Sequence, residues 1–277
     1  MRQNQFSRII KITTLVACIS IFWGCSFSPL ADRSPNVNQP PLHYIERGTG
    51  EPVILVHGFS QTHEMWLDTP VFQRLNREYR VIAVDLLGHG NSNKPHEPSA
   101  YGRNLESTLI DLLDYLEIER AHFVGFSMGA SVIGGLLESS PERVMTATMG
   151  SGFFATWDEV EEEFARWTLA RGQSDERYPW EPENQDFSAL AAVIRGVRDA
   201  VITDSEISEI QTPTLIVFGS VELSHMAESE KQRLNHLPEK IQTLIIEGAD
   251  HDSTKAAVLS DEFSQAVGQL IAENPMK

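Results

Sequence analysis

The chain has 277 residues, 41% hydrophobic and 22% charged, which suits one large globular domain or two small ones and excludes wholesale disorder. Its 22 Lys and Arg stand against 39 Asp and Glu, and a net charge of −17 offers no basic field to collect phosphates, so nucleic acid is not an expected partner. The two cysteines, Cys18 and Cys25, both lie near the N-terminus, which excludes disulfide scaffolds, zinc knuckles, iron–sulfur clusters and thiol catalysis from the folded body.

The first predicted element is an address rather than part of a fold. Arg2, Arg8 and Lys11 precede Ile12–Trp23, an uncharged run of 12 residues. That is short of the roughly 20 a membrane helix needs and suits a secretory signal over residues 1–24. Gly24 then precedes Cys25. An apolar run ending in a small residue and Cys resembles the lipobox of bacterial lipoproteins, whose Cys is acylated and becomes the new N-terminus. Trp23 is bulkier than that pattern prefers. The rival string Leu15-Val16-Ala17-Cys18 sits too close to Lys11, and cleavage there would leave Ile19–Trp23 exposed. The resemblance implies export to a bacterial cell envelope and lipid attachment at Cys25, facing the periplasm or exterior. A plain signal peptide and an uncleaved anchor are the alternatives. Loss of residues 1–24 leaves 19 basic against 39 acidic residues, a net −20, so membrane contact is expected only through the lipid. Residues 25–41, rich in Ser, Pro and Asn without periodicity, read as a tether to a domain over 42–277.

From there short apolar runs alternate with helix-length segments. Strands are predicted at Val53–Val56, Val81–Val84, His122–Val124, Val144–Met149, Leu215–Phe218 and Leu244–Ile246, and helices near 101–117, 128–139, 224–236 and 254–272. Continuous apolar strands separated by helices predict an α/β class: a mainly parallel central sheet flanked by helices on both faces, with ligands at the carboxyl ends of the strands. Residues 151–210 interrupt the alternation. They read as a small helical cap, with helices near Asp158–Ala170 and Ala189–Ala200, and eight of the 23 aromatics fall within 153–187. Those aromatics suit either a lid over a pocket or the glue between insertion and sheet.

Three strings carry the chemistry. Gly125-Phe126-Ser127-Met128-Gly129 fits G-x-S-x-G and stands between a predicted strand and a helix rich in small residues. That context holds a serine hydroxyl free above a sheet at a helix N-terminus. His57-Gly58-Phe59 follows the strand at 53–56; there the Phe59 N–H, with the Met128 N–H, would make a two-donor oxyanion hole, and His57 reads as a buried turn residue. The third string, Asp85-Leu86-Leu87-Gly88-His89-Gly90-Asn91-Ser92, follows the next strand.

In these strings, their order and their spacing, the chain from about 42 to 272 resembles the α/β-hydrolase fold superfamily. The resemblance implies a structural role for Asp85 and His89, because the family's D-x-x-G-H-G-x-S loop is structural. It also implies a late strand ending in an acid, matched by Gly219-Ser220-Val221-Glu222 with Glu where Asp is usual, and a final turn carrying His, matched by Gly248-Ala249-Asp250-His251. The implied triad is Ser127, Glu222 and His251 in the order nucleophile, acid, histidine. Asp250 and Asp158 are the alternative acids.

The expected activity is that of a serine hydrolase cleaving carboxylic esters of small or medium acyl groups through an acyl-enzyme, with a small-molecule ester as partner. Aminopeptidase, lactonase and carbon–carbon bond hydrolase use the same triad, and a hydrolase-like binding protein without catalysis is the other class. No Walker string, dinucleotide fingerprint or carboxylate-rich metal loop is present, so no cofactor and no metal are expected. His43, His63, His96, His122, His225 and His236 lack ligand spacing and read as surface or packing residues. A monomer is expected.

Overall fold

The computed structural model describes residues 39–152, 161–174, 181–183, 185–196, 203–226, 228–251 and 255–276. Residues 1–24, expected to be a signal, Cys25, most of the expected tether, Asp158 and five of the cap aromatics (Phe153, Phe154, Trp157, Tyr178 and Trp180) lie outside them.

Seven strands form one sheet: β1 (Tyr44–Arg47), β2 (Pro52–Val56), β3 (Arg80–Val84), β4 (Ala121–Phe126), β5 (Val144–Gly150), β6 (Thr214–Gly219) and β7 (Ile241–Ile246), in the spatial order β1-β3-β2-β4-β5-β6-β7. Among the described residues, only β1 runs antiparallel, against β3; every other strand pairing is parallel. This is the predicted α/β class. The sheet is covered on both faces, as its sequence requires. In β2 all five residues are buried, and the two-residue period divides them. Ile54 and Val56 join a core cluster with α3 (Asn104–Tyr115) and α4 (Met128–Ser139), through Leu105, Leu109, Ile133 and Leu136. Val53 and Leu55 join the opposite cluster with α1 (Glu64–Leu67), α2 (Pro70–Leu75) and α10 (Asp261–Ala272), through Trp66, Phe72, Phe263 and Val267. Each such side chain, fully buried, contributes about 1.5–3 kcal/mol.

The structure adds elements that apolar runs did not announce. β1 is an edge strand, YIER, with three half-buried residues and an exposed Arg47 and no hydrophobic run to mark it. Thr69 caps α2, accepting the Phe72 N–H at 3.2 Å, with Pro70 at the first helical position. The helix expected near 224–236 is two: α8 (Ser220–His225) and α9 (Glu228–Leu234), because the backbone turns extended at Met226. The last helix starts at Asp261, not 254, where Ser260 accepts the Phe263 N–H at 3.0 Å. Within the insertion, α5 (Glu161–Arg171), α6 (Phe187–Gly196) and α7 (Asp204–Ser208) are described. Among the described residues no helix is long and apolar enough to cross a membrane.

The chain leaves β2 for β3 on one side and later places β4 on the other. The sheet therefore has a topological switch at β2 and β4, the place in an open α/β sheet where loops leave in opposite directions and ligands bind at the carboxyl edge.

Candidate active site

Ser127 sits between β4 and α4 at φ 51° and ψ −117°, a conformation that costs a non-glycine residue about 1–3 kcal/mol. The surroundings impose it. The Ser127 N–H donates to the Gly150 carbonyl at 2.8 Å, tying the elbow to the end of β5. The glycines two residues either side leave no alternative: a Cβ on Gly125 would lie 2.6 Å from the Gly129 backbone, and one on Gly129 2.4 Å from the Val56 carbonyl. The sharp turn holds Oγ clear of the sheet.

His251 follows β7. Its Nε2 lies 3.0 Å from Ser127 Oγ and its Nδ1 2.8 Å from Glu222 Oε1. A carboxylate only accepts, so Nδ1 carries the proton and Nε2 presents its lone pair to the serine hydroxyl. The Phe126 ring lies 5.5 Å from the imidazole at 30°. Glu222 occupies the first turn of α8, which begins directly at the end of β6. Its second oxygen accepts the Gly219 N–H at 3.4 Å, which bends the longer side chain back over the turn. The acid and histidine loops are tied together: Val221 N–H donates to the Ala249 carbonyl at 3.0 Å and Gly248 N–H to Ser220 Oγ at 2.9 Å. A Cβ on Gly219 would meet the Ala249 carbonyl at 2.1 Å, so only glycine permits this approach. The Glu222 side chain is thus 12% exposed while that of His251 remains 52% exposed. Asp250 is occupied otherwise, accepting the backbone N–H of His251 at 2.8 Å.

Met128 directly follows Ser127, and Phe59 lies in the loop after β2; these are the two residues whose N–H groups the sequence nominates as oxyanion donors. Met128 opens α4, and its N–H has no carbonyl a turn earlier to pair with. Phe59 lies in the turn Gly58–Gln61, which closes with the Gln61 N–H on the Gly58 carbonyl at 3.2 Å and the Gly58 N–H on Gln61 Oε1 at 3.0 Å. His57 underpins that turn. Its Nε2 accepts the Leu86 N–H at 3.0 Å, so its Nδ1–H donates to the Gly58 carbonyl at 2.7 Å. Complete burial lowers its pKa to about 4, and the neutral ring is a strut between the loops after β2 and β3. His89 is equally buried, its pKa lowered to about 3 by burial, and its ring meets Phe59 edge-on at 5.9 Å.

His43, His63 and Asp85 offer three ligand atoms within 4.8 Å of one another. Their hydrogen bonds instead describe a closed hub. The Asp85 carboxylate, fully buried, accepts from His43 Nδ1 (2.9 Å), His63 Nδ1 (2.8 Å), the His63 N–H (2.7 Å) and the Asn91 N–H (2.8 Å). Burial would raise its pKa, but these donors outweigh burial and hold it below the usual range; the same contact raises His63. All four acceptor positions are taken, which fits a structural knot better than a metal ligand. His122 pairs with Thr146 and Glu51 inside the sheet, a packing role.

Sequence reasoning missed Gln185, whose Nε2 donates to the Ser60 carbonyl at 2.8 Å from the cap. No motif marks it, since its partner is a backbone atom 125 residues away. It also missed the tilted ring contact between Phe126 and His251.

The family profile described as "Alpha/beta hydrolase family" matches residues 53–263. The carboxylesterase YbfK of Bacillus subtilis is 28% identical over 79% of this chain and 78% of its own. The (E)-2-((N-methylformamido)methylene)succinate hydrolase of Acinetobacter baylyi is 25% identical over 77% of this chain and 88% of its own. Among solved structures, a mutant meta-cleavage product hydrolase superposes with a TM-score of 0.67 at 24% identity, covering 84% of this chain and 94% of that one.

Proposed function

We propose that this chain, which belongs to the alpha/beta hydrolase family, is a serine hydrolase that cleaves carboxylic esters of small or medium acyl groups. The observation that carries this reading is the continuous relay from Ser127 Oγ through His251 to Glu222, with links of 3.0 and 2.8 Å. His251 Nε2 takes the Ser127 proton as Oγ attacks the ester carbonyl. The resulting oxyanion is held by the Phe59 and Met128 N–H groups. Collapse breaks the bond to the alcohol oxygen, which leaves with the proton returned by His251. Water then attacks the acyl-enzyme by the same route, regenerating Ser127 and releasing the acid. Glu222 fixes the Nδ1–H tautomer and stabilises the imidazolium formed in both halves.

The relative named carboxylesterase supports ester chemistry, and the modest insertion supports small or medium acyl groups. The same triad also serves lactones, aminoacyl amides and carbon–carbon bonds, and substrate breadth is tested directly. A panel of p-nitrophenyl esters of rising chain length should be hydrolysed best at the short and medium members, with an aminoacyl anilide beside them left intact. Cleavage of the anilide with inert esters would overturn the assignment. We also read the chain as exported and held to its membrane by a lipid on Cys25, a reading that rests on the N-terminal string alone.

A further inference from the structure

We propose that Gln185 is a positioning residue for the oxyanion loop, so that the cap insertion sets the geometry in which the Phe59 N–H meets the developing negative charge. The inference rests on the serine hydrolase reading above and adds to it a residue outside the triad and the oxyanion donors.

The turn Gly58–Gln61 carries the Phe59 amide between two fixed points, and both of its internal ties secure Gly58 rather than Phe59 or Ser60. His57 likewise holds the Gly58 carbonyl. Beyond Phe59 the chain passes through Ser60 at φ 59°, a left-handed conformation that a non-glycine residue keeps only when its surroundings require it. Ser60 is buried, and a buried carbonyl without a donor is costly. The donor it finds is Gln185 Nε2, at 2.8 Å.

Gln185 belongs to a segment that is itself anchored. Four residues before it, the Glu181 side chain is fully buried and receives both guanidinium arms of Arg171, at 2.8 and 2.6 Å. Arg171 also lies over the Trp167 ring at 4.9 Å. One residue after Gln185, Asp186 caps α6 through the Ala189 N–H at 3.0 Å and pairs with His96. The Gln185 side chain thus reaches the loop from a residue adjacent to the α6 cap. Its other amide atom, Oε1, is buried with no hydrogen-bond partner among the described residues, and the hydrogen bond described for the group is the one to Ser60. A second cap contact falls on the same loop: the Phe59 ring packs 5.4 Å from Phe164 of α5, against the Ala165, Ala191 and Ile194 cluster. The cap thus holds the residue bearing the oxyanion donor by an apolar contact on its side chain and holds the next residue by a hydrogen bond on its carbonyl.

An oxyanion donor acts in the transition state and barely in the ground state, so displacing it lowers kcat with little effect on KM. Deleting such a donor costs about 10²–10³-fold. Losing the group that positions it should cost less, about 10–100-fold. Gln185→Met keeps the length and removes the donor. Gln185→Glu keeps the shape and sets a carboxylate against the Ser60 carbonyl. We expect both variants to fold, to lose kcat on a p-nitrophenyl ester in the order Glu worse than Met, and to keep KM within about twofold. An aliphatic boronic acid, which forms a tetrahedral adduct on the serine and mimics the oxyanion, should bind both variants more weakly by about the factor lost in kcat, while the product carboxylate binds as before. Variants that lose thermal stability but keep kcat and boronate affinity per folded molecule would overturn the inference and leave the hydrolase reading standing. A wild-type protein that neither turns over esters nor binds the boronate would overturn both.

Discussion

Glu222 stands where the family usually has Asp, and the geometry explains how the extra methylene is accommodated. Glu222 sits in the first turn of α8, and its carboxylate spans from the Gly219 N–H to His251 Nδ1. Glu222→Gln keeps the size and removes the charge, so kcat should fall steeply, towards the 10⁴-fold or so seen when a Ser-His-Asp enzyme loses this charge. Glu222→Asp should retain a measurable fraction, because the charge survives and only reach is lost. Asp250→Asn should cost less than about tenfold, or about 1.4 kcal/mol, since the contact described for the Asp250 carboxylate is to the His251 backbone N–H rather than to its ring. Steady-state kinetics on one ester ranks the three; a normal Gln variant beside a collapsed Asn variant would move the acid to Asp250. At this scale the sequence was unusually legible. Ser127, Glu222 and His251, which hydrogen bonds link in the structure, all follow strand-end strings, because the sharp turns that bring them together need small residues. Gln185 was illegible for the converse reason: it works through a backbone carbonyl and demands no particular neighbour in sequence.

Helix packing beneath the nucleophile contains a titrating group the chemistry does not use. Glu106 of α3 is buried against α4, where Gly135 leaves it room; a Cβ there would lie 2.0 Å from Glu106 Oε1. Burial raises its pKa to about 7, against partial relief from Arg103 and the Ser139 hydroxyl. A carboxyl whose folded pKa lies above its unfolded value binds more protons folded than unfolded between those two values. Its contribution therefore falls as pH rises from about 4.5 to about 7 and is flat above. The swing is on the order of 1–3 kcal/mol. Glu106→Gln should be close to neutral at pH 5, more stable than wild type at pH 8, and flatter between, as read by urea denaturation across pH. A Gln variant less stable at pH 8 than at pH 5, by the same margin as wild type, would assign the dependence elsewhere. Element prediction itself followed burial. Fully buried strands such as β2 and β5 announced themselves as apolar runs, whereas β1 lies half-exposed at an edge and was silent. The break at Met226, where α8 gives way to α9, depends on how the chain wraps past β6, which local periodicity does not encode.

Taken as a whole, the body carries its candidate site on loops at the carboxyl ends of β2, β4, β6 and β7, with the cap reaching the first of them. The acidic charge predicts no electrostatic attraction to an anionic membrane, so attachment should depend on the N-terminal string. In a lipidating bacterial host, Cys25→Ala should shift the protein from the membrane fraction to the soluble fraction and abolish palmitate incorporation, while Cys18→Ala changes neither. Equal palmitate in the Cys25→Ala protein would refute that site. The central claim, that Ser127 is the nucleophile of an acyl-enzyme, is tested most directly by mass. Purified wild type treated with a fluorophosphonate should gain one phosphonyl group, mapped to the peptide containing Ser127, and lose esterase activity in proportion. Ser127→Ala, folded by circular dichroism, should gain nothing. An adduct on any other residue, or one that persists in the Ser127→Ala protein, would contradict the account.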